Sequence, residues 1–324
     1  MKAVVLVGGE GTRLRPLTLT TPKQMLPIGG RPMIERVMEW LASHGVDEAV
    51  LSLGYRPDAF LEAYPDGRCA GVALRYAVED SPLDTAGAIR FAAREGGVDE
   101  TFVVVNGDVI TALDVTALFE FHRRSGAEAT IALTPVEDPS AFGVVPTREN
   151  GQVVAFIEKP SREDAPTNLI NAGTYVLEPS VLERIPAGRR VSIERETFPA
   201  LVADGRLYAR GSDASWLDAG TPAAYLAANL VYAPLGPCRW DGGGCAHNSV
   251  IADEVVVKAG GAVEDSVLMG GVVLEEGASV SGSIIGRGAR IGAGARVDSL
   301  SVIGDGWVVE AGTVVSSARL PSAS

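Results

Sequence analysis

KAVVLVGGEGTRLRPLTLTTPKQMLPIGG, residues 2–30, runs from an unbroken apolar stretch into a loop holding five glycines, three prolines and three cationic side chains. KAVVLV reads as a strand buried on both faces, because a strand with one wet face would alternate. After the loop, Pro32 can open a helix whose apolar positions Met33, Ile34, Val37, Met38 and Leu41 recur at helical spacing, and Gly45 can end it. EAVLSL returns as a second strand. VALRYAV, a helix over Thr85–Glu95, the strand TFVVVN and a helix over Asp114–Arg124 continue the alternation, and EATIALTPV, GVVPT, QVVAFIE and INAGTYVLE supply later strands. Ser192 can cap a further helix that lacks the glutamate of a full capping box and that Gly205 stops. Strands alternating with helices predict an α/β domain with a mostly parallel, mixed sheet over residues 1–232.

Residues 233–245, APLGPCRWDGGGC, mix proline and glycine without periodicity and read as a linker. Beyond them the rhythm changes. Ile285, Ile291, Val297, Ile303, Val309 and Val315 fall every six residues, with Gly286, Gly292 and Gly304 directly behind three of them. Val257, Val263, Leu268 and Val273 keep the register less strictly. A six-residue period predicts a β-solenoid, each hexad making one short flat side, in coils of about 18 residues. The hexads resemble those of the left-handed parallel β-helix, expected over 246–316 with a tail at 317–324.

The formal charge of −13 argues against a binder of nucleic acid or of an anionic membrane surface. The first 31 residues oppose that background, with Lys2, Arg13, Arg15, Lys23 and Arg31 against Glu10 alone. A positive patch on an acidic chain suits a small anionic ligand. The chain has 24 arginines and only four lysines, Lys2, Lys23, Lys159 and Lys258, so lysine marks places where a compact point charge is wanted. The opening apolar run is too short for a signal peptide or a membrane span, and the expectation is a cytoplasmic protein. Three cysteines imply no disulfide framework, and Cys238, Cys245 and His247 lack zinc-finger spacing.

The loop fits neither of two familiar phosphate motifs. A dinucleotide fingerprint from Gly9 needs glycine where Leu14 stands, and a Walker loop needs G-K-[ST]. What remains is a glycine turn whose amides can face an anion, followed by Thr12, Arg13 and Lys23, a donor set matched to a triphosphate. The pattern G-G-x-G-T-R-L-x-P-L-T followed by P-K resembles the signature of the sugar-1-phosphate nucleotidylyltransferases, the nucleotide-sugar pyrophosphorylases. That resemblance implies a Rossmann-like nucleotidyltransferase domain, a β-helix behind it, and coupling of a nucleoside triphosphate to a sugar 1-phosphate with release of pyrophosphate.

Carried over residue by residue, the resemblance makes Leu6, Gly8, Gly9, Gly11, Thr12 and Gly87 of LDTAGAI nucleotide contacts. It makes Gly143, Glu158 and Asn171 sugar contacts, Lys159 a sugar-phosphate contact, and Asp108 of VVNGDVI and Asp218 of WLDAGTP the carboxylates for Mg²⁺. Arg13, Lys23, Asp108, Lys159 and Asp218 are the residues expected to carry catalysis. Gln24 departs from the proline that many relatives have after the lysine. The segments INAGTYVLEPSVLERIP, VSIERETFP and GRLYARGSDASWLDAGTPAAYL are most similar to mannose-1-phosphate guanylyltransferases, which implies GTP and mannose 1-phosphate as substrates. A glucose-1-phosphate uridylyl- or thymidylyltransferase is the enzyme alternative, and a non-catalytic nucleotide-sugar-binding subunit or a hexapeptide acyltransferase the alternatives of other classes. His44 and His122 read as structural or solvent-facing, so no covalent intermediate is expected. Solenoid ends favour packing against another surface, and a homo-oligomer is expected.

Overall fold

The computed structural model describes residues 1–54, 56–234, 236, 238–240 and 243–322, with only the backbone at 238 and 239. Four residues of the expected linker (235, 237, 241 and 242), the side chain of Cys238 and the last two residues of the expected tail therefore lie outside the described residues. The chain divides into two compact units, one made of Met1–Gly9 and Glu35–Trp216, the other of Glu10–Ile34 and Leu217–Ser324.

The first unit is built on a ten-stranded sheet. Its strands are β1 (Lys2–Leu6), β2 (Glu48–Leu53), β3 (Arg68–Cys69), β4 (Val72–Val78), β5 (Phe102–Asn106), β6 (Ala129–Pro135), β7 (Gly143–Val144), β8 (Ile157–Glu158), β9 (Leu169–Leu177) and β10 (Leu207–Gly211). The order is β8-β7-β9-β5-β1-β2-β4-β3, with β6 also on β9 and β10 on β6. β1 lies between two parallel neighbours, β2 and β5, and its residues 3–5 are fully buried, as the continuous apolar run requires. Because β1 is followed in sequence by β2 on one side and flanked by β5 on the other, the carboxyl ends of β1 and β5 form a topological switch point. β9 runs antiparallel to β5 and β6, which makes the sheet mixed. Of the expected strand QVVAFIE only Ile157–Glu158 forms one; Gln152 and Val153 make single bridges instead.

Helix ends follow local chemistry. Asp114 caps α1 (Val115–Ser125) by accepting the Ala117 N–H at 2.9 Å, and Gly126 at φ +61 closes it. His122 of that helix is 1% exposed, with Nδ1 2.8 Å from Thr130 Oγ1 and Nε2 3.0 Å from Glu178 Oε1, so it is structural. Burial holds its pKa below the ordinary imidazole value, against the opposing pull of Glu178. Ser192 accepts the Arg195 N–H at 3.2 Å, as its cap position predicts.

The second unit carries three stacks of parallel strands, consistent with the left-handed β-helix expected from the hexads. Aliphatic side chains fill its axis, among them Leu268, Leu274, Ile285, Ile291, Val297 and Ile303. The looser register upstream has a physical cause. Ser249, Ser266, Ser283 and Ser301 stack at one corner, each hydroxyl accepting the N–H of the next serine at 3.0–3.2 Å, with separations of 17, 17 and then 18 residues. Early corners turn on one residue of positive φ, Asn248, Asp265 or Gly282, whereas the later corner uses two, Ser299 and Leu300. A 17-residue coil slips the hexad by one, and the strict six-residue run begins only where the coil lengthens.

That serine ladder sets a stability test. Ser283→Ala leaves the buried Ser301 N–H without its acceptor, which costs about 1–3 kcal/mol. Denaturant titration of the full chain checks it, with half-buried Ser279→Ala, outside the ladder, as the control expected near zero.

Candidate active site

In the first unit, the Leu6 carbonyl accepts the Gly107 N–H at 2.9 Å, which joins the ends of β1 and β5. Gly8 and Gly9 follow β1, and Asp108 sits in the turn after β5. Glu79, just beyond β4, stands beside this glycine turn: its Oε1 is 3.7 Å from where a Cβ on Gly8 would be. Two hydrogen bonds orient the carboxylate, from Ser52 Oγ at 2.9 Å and from the Leu83 N–H at 3.0 Å. Each oxygen keeps room for a second donor. Glu79 was not singled out by sequence, since an acidic residue after a strand reads as surface.

Gly87 lies inside the helix Asp84–Glu95. A Cβ there would come within 2.9 Å of Leu83 Cβ and 3.0 Å of the Arg189 carbonyl, so close packing by itself accounts for glycine at this position.

The expected sugar contacts gather along one ladder. Gly143 pairs with Glu158 and Val144 with both Ile157 and Ile170, which brings Asn171 near the same strand ends. Lys159 follows directly, at φ +49 and 60% exposed, with Nζ 3.5 Å from Glu158 Oε1. Asn171 is already engaged: its Nδ2 donates to Tyr175 Oη at 2.9 Å and its Oδ1 accepts the Gly173 N–H at 2.9 Å. Complete burial pushes the Tyr175 phenol far above its ordinary pKa, so it stays a neutral partner.

The second unit holds the cationic part of the loop. Residues 12–25 form three one-turn 3₁₀ helices, Thr12–Leu14, Leu17–Leu19 and Lys23–Met25. Gly11, at φ +63, packs against Thr18, whose hydroxyl donates to the Gly11 carbonyl at 2.9 Å. Arg15 pairs with Glu10 at 3.2 Å. Arg13 and Thr12 are exposed, while Lys23 is only 9% exposed. Gln24, which follows Lys23, is 3% exposed and its Oε1 is buried without a hydrogen-bond partner.

Asp218 and Arg13 meet over Gly220, a residue sequence reasoning did not single out. Asp218 Oδ1 accepts the Gly220 N–H at 2.9 Å, and a Cβ on Gly220 would lie 2.7 Å from an Arg13 guanidinium nitrogen and 2.8 Å from that same Oδ1. Asp108 in the first unit and Asp218 in the second are each hard oxygen donors of the kind Mg²⁺ takes, and among the described residues no group of three or more His, Cys, Asp or Glu could enclose an ion.

The crowding at Gly220 yields a prediction. The atoms a methyl group would meet are flexible side-chain ends, so Gly220→Ala displaces Arg13 and Asp218 without breaking the fold. Turnover should fall by about tenfold or more while the thermal midpoint stays near wild type. Steady-state kinetics and calorimetry on the same sample measure both.

Comparison with known proteins divides the chain along the sequence, at a different place from these two units. The Nucleotidyl transferase family model matches residues 2–233, and the model described as GMPPB C-terminal domain matches residues 244–322. The chain is 43% identical over 319 residues to a mannose-1-phosphate guanylyltransferase of Mycobacterium tuberculosis, covering 97% of this chain and 82% of that one. It is 44% identical over 238 residues to a mannose-1-phosphate guanyltransferase of Aspergillus fumigatus, covering 72% of this chain and 64% of the fungal protein. Among solved structures, HddC from Yersinia pseudotuberculosis complexed with GMP-PN is similar at 28% identity and a TM-score of 0.61, over 71% of this chain and 99% of HddC.

Proposed function

The chain belongs to the nucleotidyl transferase family, and on that premise we propose that it condenses GTP with mannose 1-phosphate to give GDP-mannose and pyrophosphate. The observation that carries the choice of base is the Glu79 carboxylate beside the glycine turn. Guanine offers adjacent N–H donors on its ring and its exocyclic amine, which a carboxylate accepts. Uracil and thymine offer one N–H between two carbonyl oxygens, and those oxygens are repelled. The names of the mycobacterial and fungal relatives, and the guanine nucleotide analogue bound to HddC, support the same reading.

In the reaction a phosphate oxygen of the sugar attacks the α-phosphorus of GTP. The new P–O bond forms as the bond to the β-phosphate bridging oxygen breaks, and pyrophosphate carries away the electron pair. Two unit charges 4 Å apart repel by roughly 4 kcal/mol at an effective dielectric near 20, and several such pairs oppose the encounter. Arg13 and Lys23 supply cations for the triphosphate, and Lys159 supplies one for the attacking phosphate. Mg²⁺ held by Asp108 and Asp218 would add positive charge where the two phosphates meet. No histidine or cysteine nucleophile enters, because direct displacement needs none.

The test is a matrix of nucleoside triphosphates against mannose and glucose 1-phosphates with Mg²⁺, scored by pyrophosphate release. GTP with mannose 1-phosphate should be fastest; a preference for UTP or dTTP with glucose 1-phosphate overturns the substrate assignment. Glu79→Gln replaces one acceptor by a donor, so kcat/KM for GTP should drop by about tenfold or more relative to UTP and dTTP. Arg13→Ala should lower kcat by roughly 100-fold with every triphosphate.

A further inference from the structure

The carbonyl of Arg13 is left without a partner by its own turn. Leu14 donates to the Gly11 carbonyl at 2.9 Å and Arg15 to that of Thr12 at 3.2 Å. The next donor in this i to i+3 series would be residue 16, and Pro16 has no N–H. Arg319, 306 residues further on, fills the place: its Nη1 donates to the Arg13 carbonyl at 2.9 Å.

Two more contacts reach the same loop from the last coils of the solenoid, all inside the second unit. Thr20 Oγ1 donates to Asp305 Oδ2 at 2.6 Å, while Asp305 Oδ1 accepts the Arg287 N–H at 2.8 Å. Gly304 approaches so closely that a Cβ there would lie 3.1 Å from Pro16 Cβ. One carboxylate therefore bridges coil and loop, and a glycine admits the proline between them.

We propose that Arg319 and Asp305 are positioning residues for Arg13, with Gly304 providing the space their contacts need. Single 3₁₀ turns hold themselves together weakly, and a segment with few internal hydrogen bonds opens locally unless it is tied elsewhere. An Arg13 backbone fixed from the solenoid leaves only side-chain torsions to settle when the triphosphate arrives. Misplacing a charge-stabilising group by about 1 Å costs as much as 100-fold in rate, so the tether acts on turnover more than on folding. This inference rests on the reading above for the role of Arg13, but its structural part, an anchored loop, does not depend on which base or sugar is used.

The experiment uses the full chain as wild type, Arg319→Ala, Arg319→Lys and the double variant Arg319→Ala/Asp305→Ala. Amide hydrogen exchange across residues 11–21 is measured without substrates, and kinetics follow with whichever substrate pair the wild type uses fastest. Arg319→Ala should speed exchange of the loop amides and lower kcat by about tenfold, with KM for the sugar phosphate changed by less than about twofold. Arg319→Lys, which can still donate to the carbonyl, should recover most of the loss. Wild-type exchange and kcat in the double variant overturn the proposal, as does a general loss of stability with no rescue by lysine. A loosened loop in a protein that prefers another substrate pair keeps the positioning assignment and rejects only GTP and mannose 1-phosphate.

Discussion

The hydrogen bond from the Gly107 N–H to the Leu6 carbonyl, 2.9 Å long, fixes where two loops leave the first unit's sheet. β1 and β5 are neighbours in parallel register, so their carboxyl ends lie side by side and their exits cannot diverge. One exit carries Gly8 and Gly9, the other Asp108. Parallel strands joined through helices leave their loops at the same edge, which is why an α/β sheet concentrates polar chemistry there without burying unpaired backbone. The mixed part of the sheet serves the same edge. β9, antiparallel to β5, puts Asn171 beside the ladder that holds Gly143 and Glu158.

Much of this was legible because periodicity is a physical signal. The unbroken run in β1 and the hexads from Ile285 onward each reflect which side chains must leave water, and that demand is written locally. Three things were not legible. The 17-residue coils hid because a corner can close with one positive-φ residue or two, and both Asp265 and the Ser299–Leu300 pair are ordinary in composition. Glu79 and Gly220 hid because their meaning lies in neighbours distant in sequence: Gly8 for the first, Arg13 for the second. The serine ladder was equally silent, since a serine every 17 residues looks like a solvated turn until its N–H and hydroxyl are seen to pair with the coil above.

Lysine usage shows the limit of compositional reasoning. Lys2 donates to the Gly97 carbonyl at 3.0 Å and Lys258 lies 2.6 Å from Glu275, so lysine in this chain also serves ordinary structural pairing. The other two differ from each other. Lys159 is mostly exposed beside Glu158, where water screens its charge. Lys23 is nearly buried, and a buried ammonium is tolerated only with anionic or polar groups around it. If both meet phosphate, they do so under different dielectric conditions, and the buried one contributes more per charge.

The cationic loop and the solenoid illustrate how a repeat architecture can hold a site it does not itself form. Each internal coil is hydrogen-bonded on both sides, so its position is determined by its neighbours; among the described residues the strand Arg319–Leu320 pairs on one side, with Val302–Ile303. The guanidinium of Arg319 brings donors that the backbone pairing of this strand does not use. The Arg13 carbonyl, deprived of its natural donor by Pro16, is a fixed acceptor with the opposite need. Their bond satisfies both deficits at once, and the restraint it places on the loop is equally a restraint on the coil. Opening of the last coil and opening of the cationic loop are thus one equilibrium, and on the proposed role of Arg13 that coupling is the route by which a domain of hexads would act on turnover.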